Sequence, residues 1–447
     1  VQPGVFRPLF SRRDFLKLRL LLGGACAGLR SGSALAAFPD YKALVCIFLH
    51  GGNDSFNMVV PCDTVPYNEY AAARANMKVP LTDLHHAELS DSQGAKYLLH
   101  KKMPYLGGLV ADGKLAVVAN VGPRQAIIDP VDGGIPRLFS HNDQQTQWMT
   151  LRGQSGLATG WAGRAADRWS DISPLNYSVS GNSALQIGQF SKPYIMSQLN
   201  GIAPFSDLNP NASWLVEKSR RQAIDAALAN AENSATRYYA AALQRALRLA
   251  DSHLSALATN TSSFISLFPS IDTNALRRQM KYVAQVINGR TVLGASRQVF
   301  YVSLGGFDTH DNQLTNHPLL LEQLDQAIEA LHRSCVAMGV ENNVTMITAS
   351  EFGRTLTSNG DGTDHGWGGH QLVVGGGVKG GTIYGKMPSY IIGGDDDFGF
   401  GRIKPSLSVE QYVADALRWF GFDDQELAII LPQLGDFAER SLGYMTV

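Results

Sequence analysis

Five short apolar runs constrain this chain more than any other feature. They are Leu44-Val45-Cys46-Ile47-Phe48-Leu49, Leu115-Ala116-Val117-Val118-Ala119-Asn120-Val121, Val299-Phe300-Tyr301-Val302-Ser303-Leu304, Val344-Thr345-Met346-Ile347-Thr348 and Gln371-Leu372-Val373-Val374. A strand with one wet face alternates apolar and polar residues, whereas an unbroken apolar run suits a strand covered on both faces. Helical patterns lie between the runs. The clearest spans His317 to Met338, with Leu320, Leu324, Ile328, Leu331 and Cys335 on one stripe. Strands alternating with helices predict an α/β protein with a mostly parallel central sheet. In such sheets ligands sit outside the carboxyl ends of the strands. Asp54, Asp308 and Glu351 each fall just after a strand, so one rule can gather residues far apart in sequence.

The 447 residues suffice for one large domain with an insertion, or for two domains. Residues 205 to 290 differ in character. Asn211 to Ala258 is rich in Ala, Arg, Leu and Gln, and Thr273 to Asn288 resumes the pattern. This predicts two or three inserted helices, serving as a cap beside the site or as outer-layer helices. Ser408 to Gly421 reads as an amphipathic helix with a serine N-cap and a glycine stop.

Residues 1–36 read as an export signal. Ser11-Arg12-Arg13-Asp14-Phe15-Leu16-Lys17 matches the twin-arginine pattern, a moderately apolar stretch follows, and Ala34-Leu35-Ala36 forms a small-x-small cleavage site. This predicts a periplasmic or secreted bacterial protein handled by the twin-arginine export machinery. The segment holds six basic side chains (Arg7, Arg12, Arg13, Lys17, Arg19 and Arg30) and one acid (Asp14). The remainder therefore carries a net charge of −6, against −1 for the whole chain. A mildly acidic protein has no electrostatic reason to bind nucleic acid. After the signal no apolar run is long enough to span a membrane. Cys46 and Cys335 fit core positions, and Cys46 with Cys62 is one disulfide an oxidising compartment permits.

The chemistry-bearing residues form a few clusters. Asp308-Thr309-His310 follows a Gly305-Gly306 turn, and in extended chain positions i and i+2 face the same way. Glu351 ends a strand three residues before Arg354, which can pair with it or with an anionic substrate. His365 and His370 flank Gly366-Trp367-Gly368-Gly369, where glycines permit close backbone approach and two imidazoles can converge on one ion. Oxygen and nitrogen ligands without thiolate suit a hard-to-borderline divalent metal. His50-Gly51-Gly52-Asn53-Asp54 also fits the oxyanion loop of serine hydrolases. Those enzymes need a Gly-x-Ser-x-Gly elbow, however, and Gly153-Gln154-Ser155-Gly156 breaks off early. Ser140 and His141 open a helix, either as nucleophile and anion-binding group or as an ordinary cap.

Together, the twin-arginine start, Leu49-His50-Gly51-Gly52-Asn53-Asp54, Gly305-Gly306-Phe307-Asp308-Thr309-His310, Ser350-Glu351-Phe352-Gly353-Arg354-Thr355 and Asp364-His365-Gly366-Trp367-Gly368 resemble the exported bacterial domain-of-unknown-function 1501 family. That family is grouped with the alkaline phosphatase and sulfatase superfamily. The resemblance implies an α/β/α sandwich, with residues 37–447 as the phosphatase-like domain. It also implies a metal site in which Asp54 matches the early aspartate, Asp308 and His310 the mid-chain pair, Glu351 the later aspartate, and His365 or His370 the late histidine. Phe352 stands where the superfamily usually has the second residue of an Asp-His pair. The Asp308-to-His310 spacing is shorter than in typical phosphatases, and the formylglycine motif Cys-x-Pro-x-Arg is absent from the sequence.

The expectation is therefore an exported metal-dependent hydrolase of phosphate or sulfate esters, using one or two divalent ions (Zn, Mg, Mn or Ca) and a small anionic ester substrate. Expected metal ligands are Asp54, Asp308, His310, Glu351, His365 and His370, with Ser140, His141 and Arg354 in catalytic roles and Arg354 or Lys379 neutralising the substrate. The competing expectations are a non-catalytic metal-binding protein with a degraded site, and a metal-free serine esterase.

Overall fold

The apolar runs become the centre of a nine-stranded sheet. The computed structural model describes residues 40–123, 137–151, 159–169, 175–197, 215–230 and 234–446. The export-signal segment, Gly153-Gln154-Ser155-Gly156 and part of the expected insertion lie outside these residues. In spatial order the strands are Ile383–Tyr384, Leu115–Gly122, Gly369–Gly375, Val344–Ala349, Lys42–His50, Arg297–Gly305, Asn176–Ser178 and Tyr194–Ile195, with Leu407–Ser408 also pairing Leu115–Gly122. Gly369–Gly375 runs antiparallel to both of its neighbours, and every other pairing in the sheet is parallel. The protein is thus α/β with a mixed, mostly parallel sheet.

Side-chain parity along Lys42–His50 shows why the runs are unbroken. Ala43, Val45, Ile47 and Leu49 enter one core with the helices Pro104–Ala111, Ala275–Asn288 and Gln313–Ala337. Leu44, Cys46 and Phe48 enter another with His141–Thr150, Trp161–Arg168 and Val409–Phe420. Both faces of the sheet are covered by helices, so neither parity can be polar.

The C-terminal helix matches its sequence signature. Ser408 accepts from the Gln411 backbone N–H at 3.1 Å, Gln411 accepts from the Ser408 N–H at 3.0 Å, and Gly421 ends the helix at φ 123°. The long helix starts at Gln313 rather than His317, with Pro318 inside it. The 205–290 region contains the helices Leu215–Ala229, Ser234–Leu257 and Ala275–Asn288. The last packs as outer layer, burying Met280, Val283, Ala284 and Ile287. Cys46, Cys62 and Cys335 are free thiols, so the Cys46–Cys62 bridge does not form here. Among the described residues, no helix is long and apolar enough to cross a membrane.

Register decides where the loops emerge. His50 lies beside Gly305, and Phe48 beside Ala349, so three parallel strands end at one level. The antiparallel strand begins there too, with Gly369 opposite Val121 near the end of its neighbour. The loops that carry Gly51 to Asp54, Asp308 to His310 and Glu351, and the segment that leads into His370, therefore leave or enter the sheet at a single edge.

Of the five buried histidines among the described residues, three are depressed most strongly. Burial lowers His100 and His317 to about 4 and His370 to about 3. A histidine whose pKa is depressed by folding stabilises the fold above about 6.5, and that contribution is lost as pH falls. Asp325, pushed up to about 6 by burial, works in the opposite sense. At pH 5 the three histidines take up protons on unfolding while Asp325 releases one, so stability rises with pH. The thermal midpoint should fall as pH drops from about 6.5 toward 4. A flat profile over that window would contradict the neutral burial of these imidazoles.

Candidate metal centre

Asp308 is the point on which this edge converges. The Nε2 atoms of His310 and His365 each lie 3.1 Å from its Oδ1, and the His141 Nε2 lies 3.4 Å from its Oδ2. The Nε2 atoms of His310 and His365 are 3.0 Å apart. One ligand-type atom each from His141, Asp308 and His365 falls within 4.8 Å of the other two. The Asp308 side chain is 44% exposed, so the cluster opens to solvent.

The partners of the opposite ring nitrogens fix the tautomers. The Nδ1 of His141 faces the Glu351 Oε1 at 2.9 Å, that of His310 the Asp364 Oδ1 at 3.2 Å, and that of His365 the Phe139 carbonyl at 2.8 Å. Carboxylates and carbonyls accept hydrogen bonds, so in a neutral ring each Nδ1 carries the proton and each Nε2 presents a lone pair. Three lone pairs then point at a carboxylate, and two of them point at each other. That arrangement is repulsive until a cation enters. It is also how histidine ligands are held, with the far nitrogen donating to an oxygen behind it. Two nitrogen ligands of one tetrahedral ion stand roughly 3.3 Å apart, close to the observed spacing. The residues present therefore fit a divalent metal.

The electrostatics follow from these contacts. Desolvation raises the Asp308 carboxyl, but the Arg354 guanidinium beside it brings it below the usual carboxylate range. Glu351 is likewise raised by burial and brought lower overall by His141 and Gln145. The Glu351 hydrogen bond lifts His141, whereas burial lowers His365.

Backbone geometry makes the cluster possible. Gly51 sits at φ 119°, and a Cβ there would lie 2.2 Å from the Asp308 backbone nitrogen. Its N–H donates to the Glu351 Oε1 at 2.9 Å. Gly353 and the Gly366–Trp367 segment exchange two backbone hydrogen bonds, tying the Glu351 loop to the His365 loop. Phe352 packs against the imidazoles, its ring 4.6 Å from that of His365 and 5.0 Å from that of His141.

The remaining expected residues have other partners. Arg354 is fully buried, with its guanidinium on the Asp308 Oδ1 at 2.7 Å, the Gly51 carbonyl at 3.2 Å, and Thr363. It is committed to protein and orients Asp308. Glu351 stands behind His141, not in the cluster. Asp54 is fully buried and accepts from Arg74 and Gln313. His370 is also fully buried, and its Nδ1 accepts from the Asn120 N–H at 3.1 Å. Ser140 caps its helix by position, without a side-chain bond to the first turn. Lys379 lies beyond Gly375, which pairs with Thr345 at the start of its strand, so it belongs to the opposite edge of the sheet.

Sequence reasoning did not give roles to Asp364, Gln145 or the Phe139 carbonyl. Gln145 donates to the Glu351 Oε1 at 3.0 Å. Its spacing of four from His141, on one helix face, was the available signal.

The family model described as Protein of unknown function (DUF1501) matches residues 186–433, more than half of the chain. No curated protein matches.

The setting of Asp54 gives a direct test of its role. Asp54→Ala should cost about 3–5 kcal/mol of unfolding free energy in denaturant titration, because it leaves Arg74 buried without its counter-charge. Loss of metal from a variant of unchanged stability would instead make Asp54 a ligand.

Proposed function

The chain belongs to the DUF1501 family, and on that premise we propose that it is a metal-dependent hydrolase of phosphate or sulfate esters, with Asp308, His310 and His365 as its metal ligands. One observation carries the reading: the Nε2 lone pairs of His310 and His365 face each other at 3.0 Å beside a carboxylate. When bound, a divalent ion supplies Lewis-acid polarisation of an ester oxygen and makes water more acidic.

The protein's own groups have separable tasks. Asp308 stays ionised beside Arg354 and gives the site its negative charge. Asp364 and the Phe139 carbonyl orient the two histidine ligands. Glu351 holds the proton on the His141 Nδ1, which leaves the His141 Nε2 free to accept a proton from an attacking hydroxyl. Phe352 and Gly52 keep that ring in place from the dry side, the Phe352 ring lying where a Gly52 Cβ would fall within 2.5 Å of it.

The ester class and the alkaline phosphatase-like fold both rest on the motif resemblance. Helices on both faces of the sheet and loops gathered at its carboxyl edge support the fold reading. Export by the twin-arginine route is supported by Ser11 to Lys17 and by Ala34-Leu35-Ala36.

Elemental analysis and a panel of phospho- and sulfo-esters test the proposal together. The triple Ala variant of Asp308, His310 and His365 should lose its metal, and stoichiometric metal in it would sink the assignment. His141→Ala should keep the metal and lose turnover by about 10²–10⁴-fold, the usual worth of a general base. Bound metal with no turnover on any ester would favour the non-catalytic reading. Glu351→Gln should shift the pH profile of kcat, because the neutral amide no longer raises the His141 pKa.

A further inference from the structure

With Arg354 committed to Asp308, the cluster needs another cation to receive an anionic substrate. Arg402 is linked to its rim through Phe139. Its backbone is pinned on both sides: the Gly401 carbonyl accepts from Leu356 at 2.8 Å, and the Ile403 carbonyl accepts from Gly368 at 2.9 Å. The first contact ties it to the strand that begins with Arg354, the second to the segment just after His365 and Trp367.

The side chain sits over two aromatic rings. Its guanidinium carbon is 4.3 Å from the centroid of the Phe139 ring and 5.3 Å from that of Phe400. Phe139 is the residue whose carbonyl orients His365. Phe400 is 77% exposed and adopts φ 62°, a left-handed conformation that costs a non-glycine residue roughly 1–2 kcal/mol. Strain of this kind persists where surrounding structure imposes it, and it clusters at ligand clamps.

Among the described residues, this guanidinium has no ion-pair partner. Its Nε is buried without any hydrogen-bond acceptor. The aromatic rings attract the cation electrostatically but accept no in-plane hydrogen bond. The in-plane N–H groups of a guanidinium match the paired oxygens of an oxyanion.

We propose that Arg402 binds the substrate's oxyanion and makes the site specific for anionic esters. This rests on the hydrolase reading for its biological meaning, but the anion site itself does not need the metal. The flanking rings fix the direction of the fork, so lysine should not replace it.

Inorganic phosphate is the probe, with acetate as the carboxylate arm. Metal content is measured on the same samples. In chelator-treated protein, phenylglyoxal should modify Arg402, located by mass spectrometry, and phosphate should slow that modification more than acetate does. The dissociation constant for phosphate should rise about tenfold or more in Arg402→Ala, with only partial recovery in Arg402→Lys. Both variants should keep the wild-type thermal midpoint and metal content. An unchanged phosphate affinity in Arg402→Ala, or modification of Arg402 at the same rate with phosphate present, would overturn the proposal. If the triple ligand variant keeps its metal while phosphate binding still depends on Arg402, the hydrolase reading fails and this one stands.

Discussion

A guanidinium removed from water holds the candidate site together. Arg354 contacts the loop after the first strand through the Gly51 carbonyl, the loop after Gly305 through Asp308, and the Thr363–His365 strand through Thr363. A buried cation without a counter-charge is destabilising by several kcal/mol, so Asp308 is needed by the fold itself. The same ion pair keeps the Asp308 carboxyl ionised and holds its Oδ1 between Arg354 and the rings of His310 and His365. Glycine at position 51 is a condition of the contact, because any side chain there would collide with the backbone of Asp308.

The neighbours Glu351 and Phe352 divide their work by direction. Glu351 turns toward the helix of His141 and Gln145 and meets both. Phe352 turns toward Gly52 and the imidazoles. It supplies a dry wall, and a dry wall strengthens every charge interaction on its open side.

The strands were legible because a strand covered on both faces records its burial in every residue. Direction was not legible. Gln371 to Val374 reads the same whether it runs parallel or antiparallel, and only the register opposite Val121 shows that it enters the sheet at the site edge. The aspartates show the same limit. Asp54 and Asp308 both follow strands, yet Arg74 lies against the first and three imidazoles lie around the second. No local pattern in either loop records that difference. His365 and His370 are five apart, but His370 already belongs to the antiparallel strand and faces a dry interior. His141 showed its helix position in the sequence and kept its partner, 210 residues away, hidden.

That sequence distance has a kinetic consequence. Gly51 meets Glu351 across 300 residues, and His141 meets it across 210. His310 and His365, by contrast, are 55 apart. Contacts of long sequence separation form last, because the chain must close large loops before they are rewarded. Two imidazoles can thus come together in a partly folded chain, while the carboxylate that orients His141 arrives only when the first strand has docked. The half of the candidate site around His141 and Glu351 is therefore a reporter of completed folding, whereas the pairing of His310 with His365 is not.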